Sequence, residues 1–174
     1  MNQEEQYKLN KELIEAVNIG QLEKIKYLVE NGADIHGFKE ASLINALKKG
    51  HLDVVKYLVE QGANIHSNND YSLRVAAENG HLEVVKYLVE KGTDIYANNN
   101  EALIWASNNG HIEIVKYFLF DCQMKVKQET KDWLIGNNKK ECLYLIEERD
   151  LLFKLDKDII QKDSVDNVLK KIKI

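Results

Sequence analysis

The sequence contains no proline. Over 174 residues that absence excludes polyproline segments and proline-stiffened loops, and it points to helices joined by glycine and asparagine turns. Cysteine is scarce: Cys122 and Cys142 are too few for a disulfide framework and fit a reducing compartment, so the expected location is intracellular, in the cytoplasm. No apolar run approaches the roughly 18 residues of a membrane-spanning helix, and no membrane partner is expected. A basic excess is missing too. Lys and Arg total 24 against 28 Asp and Glu, a net charge of −4, whereas proteins that track phosphate backbones carry a basic patch or stripe. Nucleic acid is therefore not an expected partner. The start, Met1-Asn2-Gln3-Glu4-Glu5, is polar and acidic, unlike a secretory signal. Its 44% hydrophobic and 30% charged content is that of a globular chain, long enough for one domain.

What is there is repetition. The segment Gly50-His51-Leu52-Asp53-Val54-Val55-Lys56-Tyr57-Leu58-Val59-Glu60 returns almost unchanged from Gly80 to Glu90, with weaker copies from Gly20 and Gly110. The step is 30 residues, and other positions keep it: Leu13, Leu43, Leu73 and Leu103; Ala16, Ala46, Ala76 and Ala106. Tyr27, Tyr57, Tyr87 and Tyr117 match, as do Gly32, Gly62 and Gly92. Each unit reads as two short helices. Leu52, Val55, Leu58 and Val59 form one apolar stripe of the second, with Asp53, Lys56 and Glu60 facing water. In the first helix, Leu73, Ala76 and Ala77 are apolar, and the alanines admit a neighbouring helix closely. Gly80 and Gly92 are expected to end the two helices in the left-handed region. One such pair cannot bury its own apolar faces, so the copies must stack into a solenoid.

The run Gly80 to Ile95, Gly-His-Leu-Glu-Val-Val-Lys-Tyr-Leu-Val-Glu-Lys-Gly-Thr-Asp-Ile, resembles the second half of an ankyrin repeat. The resemblance covers residues 6 to about 125 well and 126 to 150 poorly. It implies an all-α, ankyrin-type helix-turn-helix solenoid, in repeats over about 6–35, 36–65, 66–95 and 96–125. A degenerate unit at 126–150 and a helical cap at 151–174 are expected to follow. Two departures matter. The family's unit is about 33 residues, and the residues missing here fall between Ile35 and Leu43 and at the equivalent places, where the family's finger loop stands. The Thr-Pro-Leu-His motif is reduced to its leucine, as in Tyr71-Ser72-Leu73-Arg74. Stunted fingers with little or no β-structure are expected. Short, proline-free units of this kind are similar to those of ankyrin proteins encoded by large DNA viruses of amoebae, which would place the chain in the host cytoplasm. At the ends, Asn2 to Ile19 reads as a longer, more polar helix, and Cys122 stands where Gly32, Gly62 and Gly92 stood.

Chemistry has little to stand on. His51, His81 and His111 form a ladder, but packed helices lie roughly 8–10 Å apart and Zn–N bonds span about 2.0–2.1 Å, so a ladder does not converge on one ion. Each is expected to bond nearby backbone at the tight turn between helices, and His36 and His66 to be solvated or turn residues. Neither cysteine has a partner at metal spacing, and no glycine-rich phosphate loop, GxSxG or HExxH is present. Glu23, Asp53, Glu83 and Glu113 each precede a lysine by three positions (Lys26, Lys56, Lys86, Lys116) and read as a solvated outer face. No enzyme activity, cofactor or metal is expected.

The resemblance implies instead a non-enzymatic module, a monomer that binds a protein partner on the concave surface of loops and first helices. In this chain that surface comprises Phe38, Lys39, Glu40, Lys48 and Lys49, then Asn68, Asn69, Asp70, Glu78 and Asn79, then Asn98, Asn99, Asn100, Asn108 and Asn109. These positions change from unit to unit while the core holds. Two aromatics break the pattern: Trp105 stands where Glu15, Asn45 and Val75 stand, and Tyr71 where Ala41 and Glu101 stand. The candidate contacts are Phe38, Lys48, Lys49, Tyr71, Glu78, Asn79, Trp105, Asn108 and Asn109, aromatics being enriched at hot spots. Against that, Trp105 can serve packing between units, and the asparagine runs can serve only to close turns. An alternative reading is an adaptor whose carboxy-terminal segment recruits a second protein such as a ubiquitin-ligase component.

Overall fold

Every unit places a leucine and an alanine one turn apart, and this ladder builds the first layer. A computed structural model describes the backbone of residues 2–172 and the side chains of 2–37 and 40–157. The helices are α1 (Gln3–Asn18), α2 (Leu22–Glu30), α3 (Gly37–Lys49), α4 (Leu52–Glu60), α5 (Ser67–Glu78), α6 (Leu82–Glu90), α7 (Ala97–Asn108), α8 (Ile112–Lys116), α9 (Gln128–Gly136) and α10 (Lys140–Ile172). Among the described residues there is no strand, and no helix is long and apolar enough to cross a membrane. The chain divides into two compact units, Met1–Val115 and Lys116–Ile174.

In the first unit, α1, α3, α5 and α7 stack in sequence. Leu13, Leu43, Leu73 and Leu103 are at most 3% exposed and Ala16, Ala46, Ala76 and Ala106 at most 1%, as their 30-residue recurrence requires. Asn2 caps α1 in a reciprocal box: its side chain accepts from the Glu5 amide (2.8 Å) and its own amide donates to Glu5 Oε2 (2.9 Å).

The second helices bury a different stripe from the expected one. Val54, Val55 and Leu58 are buried, whereas Leu52 and Val59 are half-exposed. The reason is that α4 packs on both α3 and α6, so the buried stripe turns to face two neighbours and takes in Val54. Each first helix ends at a glycine in the left-handed region, Gly20, Gly50, Gly80 and Gly110. The next amide, for instance that of His51, then closes on the alanine carbonyl, here Ala46 (3.2 Å).

The histidines bond backbone beside the turns between helices, as expected, but at the turn of the preceding repeat. Each ring reaches back past its own turn to the preceding repeat. Nε2 donates to the carbonyl of Asn18 from His51 (3.3 Å), of Lys48 from His81 (2.8 Å) and of Glu78 from His111 (3.0 Å). A carbonyl can only accept, which sets the tautomer. The rings lie so close to the preceding glycines that a Cβ on Gly50 would stand 2.3 Å from His81 Nδ1. The repeated glycine is thus the seat of the next repeat's histidine as well as a helix stop. The outer acidic ladder is also uneven. Glu23–Lys26 (2.7 Å) and Glu83–Lys86 (2.8 Å) pair, but the shorter Asp53 turns to the Val54 amide (2.9 Å). Lys56 lies 5.6 Å from the centre of the Tyr87 ring instead.

In the second unit a π-helical turn, Tyr117–Asp121, inserts one residue. The Met124 amide closes on the Phe118 carbonyl (2.9 Å), where Ala63 closes on Leu58 one position sooner. Asn138 (φ 56°) then takes the role of the missing glycine between α9 and α10. The Lys139 amide closes on Leu134 (2.9 Å) as His51 closes on Ala46, so α9 and the start of α10 repeat the earlier turn. Phe118, Leu119, Met124 and Leu134 are fully buried in this unit, with Arg149 donating to the Met124 carbonyl. α10 continues unbroken through position 150, and the side chains of Ile159, Ile160, Val165, Val168, Leu169 and Ile172 lie outside the described residues.

Candidate functional site

Three short turns carry the variable residues. Before each, an Asx turn closes the loop after the second helix: Asp34, Asn64 and Asp94 accept the amides of His36 (2.9 Å), His66 (2.9 Å) and Tyr96 (2.8 Å). The chain then turns left-handed. Asn68, Asn69 and Asp70 have φ of 53°, 54° and 55°, Asn98, Asn99 and Asn100 have 48°, 59° and 69°, and Glu40 has 63°. Three successive left-handed residues would cost an ordinary side chain about 1–2 kcal/mol each, and Asn and Asp are the residue types that tolerate the region best. The asparagine runs therefore serve turn formation first.

The turns are pinned through their last residue. Glu40 Oε1 pairs with His36 Nδ1 and Asp70 Oδ1 with His66 Nδ1, both at 2.7 Å. Asp70 Oδ2 also accepts the Asp94 amide of the next repeat (2.9 Å), as Asn10 Oδ1 accepts that of Asp34 (2.8 Å). His36 and His66 are thus turn residues with carboxylate partners.

Beside these turns lies a polar cluster that the sequence reading did not single out. The Arg74 guanidinium stands 4.2 Å from the centre of the Tyr71 ring and reaches Glu101 of the next repeat (3.1 Å). Burial alone would lower the Arg74 pKa, but its hydrogen bonds to Tyr71 and Glu101 outweigh that and hold it above the usual value. Position 74 holds isoleucine in the other repeats (Ile14, Ile44, Ile104), a break in pattern that marks it in the sequence. Between α3 and α5 there is a cavity of about 70 Å³. Its lining includes Glu40, Ile44, Leu47, Asn64, Asn68 and Tyr71.

The nine candidate contacts distribute as follows. Tyr71 and Trp105 are half-buried, and Tyr71 lines the cavity while carrying Arg74 on its ring. Lys48 and Lys49 are exposed at the end of α3. Glu78 and Asn109 meet, the Asn109 side chain donating to the Glu78 carbonyl at 2.6 Å. Asn79 caps its own helix through the Val75 carbonyl (2.8 Å), and Asn108 lies exposed beside Asn109. The side chain of Phe38, like that of Lys39, lies outside the described residues. Neither cysteine has the setting of a nucleophile: burial pushes the Cys122 thiol up, a hydrogen bond with Tyr117 offsetting part of this, and Cys142 is 2% exposed.

A constant apolar ladder that carries turns of changing side chains, each repeat bonded to the one before, defines an α-helical repeat protein. A family model described as ankyrin repeats, three copies, matches residues 13–99 and again 43–132, together well over half of the chain. The chain belongs to the ankyrin-repeat family. No curated protein matches it. Ankyrin repeats are in general protein–protein interaction modules and typically are not enzymes.

Proposed function

We propose that the chain binds a protein partner through the face formed by the left-handed turns and the exposed side of the first helices, acting as a monomer in the cytoplasm and performing no chemistry. One observation carries this reading. The core repeats position by position, while this face changes in every repeat at two positions (Glu40, Asp70, Asn100; Lys48, Glu78, Asn108) and includes Tyr71, the Arg74–Glu101 bridge and Trp105. The outer lysines and acids recur too uniformly to tell one partner from another. The test is a titration of the native partner, recovered by proximity labelling. Tyr71→Ala or a folded Trp105→Ala should weaken binding by at least about 1–2 kcal/mol. Lys26→Glu and Lys86→Glu should alter only a salt-sensitive association rate. The reverse ranking would move the site to the outer face.

The adaptor reading has its own observation. Leu151, Leu152, Phe153 and Leu155 on α10 are each 39–58% exposed. A helix that presents such side chains suits a second protein. Comparing the proteins captured by the full chain and by a chain ending at Arg149 separates the two, because an adaptor loses one partner and keeps the other.

A further inference from the structure

We propose that Asn109–Gly110 is a site of spontaneous deamidation, where Asn109 converts to aspartate and isoaspartate and so unlocks one joint between repeats. Asn–Gly is the pair in which this reaction is least hindered, because the attacking amide belongs to a residue without a side chain. The glycine backbone nitrogen loses its proton and attacks the asparagine Cγ. The new C–N bond closes a succinimide as the Cγ–Nδ2 bond breaks and ammonia leaves. Water then opens the ring at either carbonyl, giving aspartate or isoaspartate. The sequence contains three such pairs, Asn31–Gly32, Asn79–Gly80 and Asn109–Gly110.

The surroundings separate the three. Each asparagine ends a helix in the same backbone conformation, with φ −90°, −96° and −91° and ψ 10°, 1° and 2°. Each side chain donates to a carbonyl that it must leave in order to react: Tyr27 (2.7 Å), Val75 (2.8 Å) and Glu78 (2.6 Å). The glycines differ. Gly32 is held from both sides, its amide on the Val29 carbonyl and its carbonyl under Gln6 Nε2, each at 2.9 Å. The amides of Gly80 and Gly110 make longer bonds, both 3.3 Å, to Ala77 and Ser107. Gly80, however, lies under the His111 ring, whose Nδ1 would stand 2.6 Å from a Cβ, and the ring obstructs the rotation that attack requires. Gly110 is exposed, and among the described residues nothing lies within 4 Å of its Cβ position. Its amide is therefore the one that local opening frees at the lowest cost. The consequence falls on the joint between repeats. The Glu78 carbonyl accepts from both Asn109 Nδ2 (2.6 Å) and His111 Nε2 (3.0 Å). A carboxylate at position 109 has no N–H to give and faces that carbonyl oxygen with a charge, so one of the two bonds is lost.

The test is mass-spectrometric peptide mapping of the full chain after incubation at mildly alkaline pH, in buffer and in denaturing urea. Trypsin places the three pairs in separate peptides, 27–39, 75–86 and 92–116. In urea the three should react at similar rates, because only local sequence remains. In buffer, protection (the urea rate divided by the buffer rate) should be at least about ten-fold smaller at Asn109 than at Asn31 or Asn79. Isoaspartate, which endoproteinase Asp-N leaves uncut, should accompany aspartate, since direct hydrolysis of the side chain gives aspartate alone. Protection at Asn109 equal to or above that of either other pair, or aspartate without isoaspartate, would overturn the assignment. His111→Ala, verified as folded by circular dichroism, lifts the ring from Gly80 and should bring the protection of Asn79 down by a similar factor. An unchanged Asn79 rate in that folded variant would overturn the physical basis of the ranking. Asn109→Asp should lower the urea midpoint, and an unchanged midpoint would show that deamidation leaves the joint locked.

Discussion

At the scale of single residues, the interlock of glycine and histidine makes the sharpest demand. Gly50 has φ +72° and would thrust a Cβ against His81, whereas Gly62 has φ +99° and open space around it. Both alanine variants carry the left-handed strain of about 1–2 kcal/mol, but only Gly50→Ala adds overpacking, of about 1–3 kcal/mol. Urea titrations should therefore show the larger loss for Gly50→Ala. In a His81→Ala background the extra loss should vanish, because the ring it strikes is gone. Equal losses in the two backgrounds would show that the contact is not what constrains the glycine. The cysteines provide a second measurement. Burial raises the Cys122 pKa, which reduces the thiolate fraction at any pH below the usual thiol range. Iodoacetamide should label it more slowly than a free thiol at pH 7–8, and should reach the buried Cys142 only on unfolding.

At the scale of the element, the left-handed turn and the first-helix core respond to opposite chemistry. Asn68 is exposed at φ 53°, so Asn68→Gly should be neutral or slightly stabilising. Asn68→Val should lose about 1–2 kcal/mol, since a β-branched residue is least at ease there. Equal stability of these variants would mean that the turn re-forms in another conformation. In the core, Leu73 is 1% exposed within the stack of first helices, and Leu73→Ala should lose about 2–5 kcal/mol. Lys86 pairs with Glu83 at 2.8 Å on the surface, and Lys86→Ala should stay within about 0.5 kcal/mol. A urea midpoint shared by these two variants would contradict the assignment of faces.

At the scale of the whole molecule, the second unit determines where the chain can be cut. Phe118 and Leu119 are fully buried, and α10 packs on the π-helical turn that carries them. Ending the chain after Val126 removes α9 and α10 and uncovers that apolar surface. Terminal repeats need a polar outer face, and an exposed apolar patch favours association. The shortened chain should keep its helical circular dichroism while scattering light as oligomers. A monomer with an unchanged unfolding midpoint would show that residues 127–174 do not act as cover.

The helix-pair repeat, its buried Leu–Ala ladder and its left-handed glycines were legible in the sequence because a solenoid buries equivalent positions identically, and that demand writes a 30-residue period. The varied side chains that nominate the binding face were legible for the complementary reason, that they escape it. Tertiary structure alone decided how neighbouring repeats lock. The partner of His81 is the carbonyl of Lys48, 33 residues earlier, a contact that no local pattern of residue types encodes. It also decided that Val54 is buried, since two neighbours flank α4, and that the Asn runs turn left-handed, since handedness is a property of the backbone that composition permits without requiring. The cavity beside Glu40 and Tyr71 belongs to the same class. Its walls come from two successive repeats and exist only once those repeats have stacked.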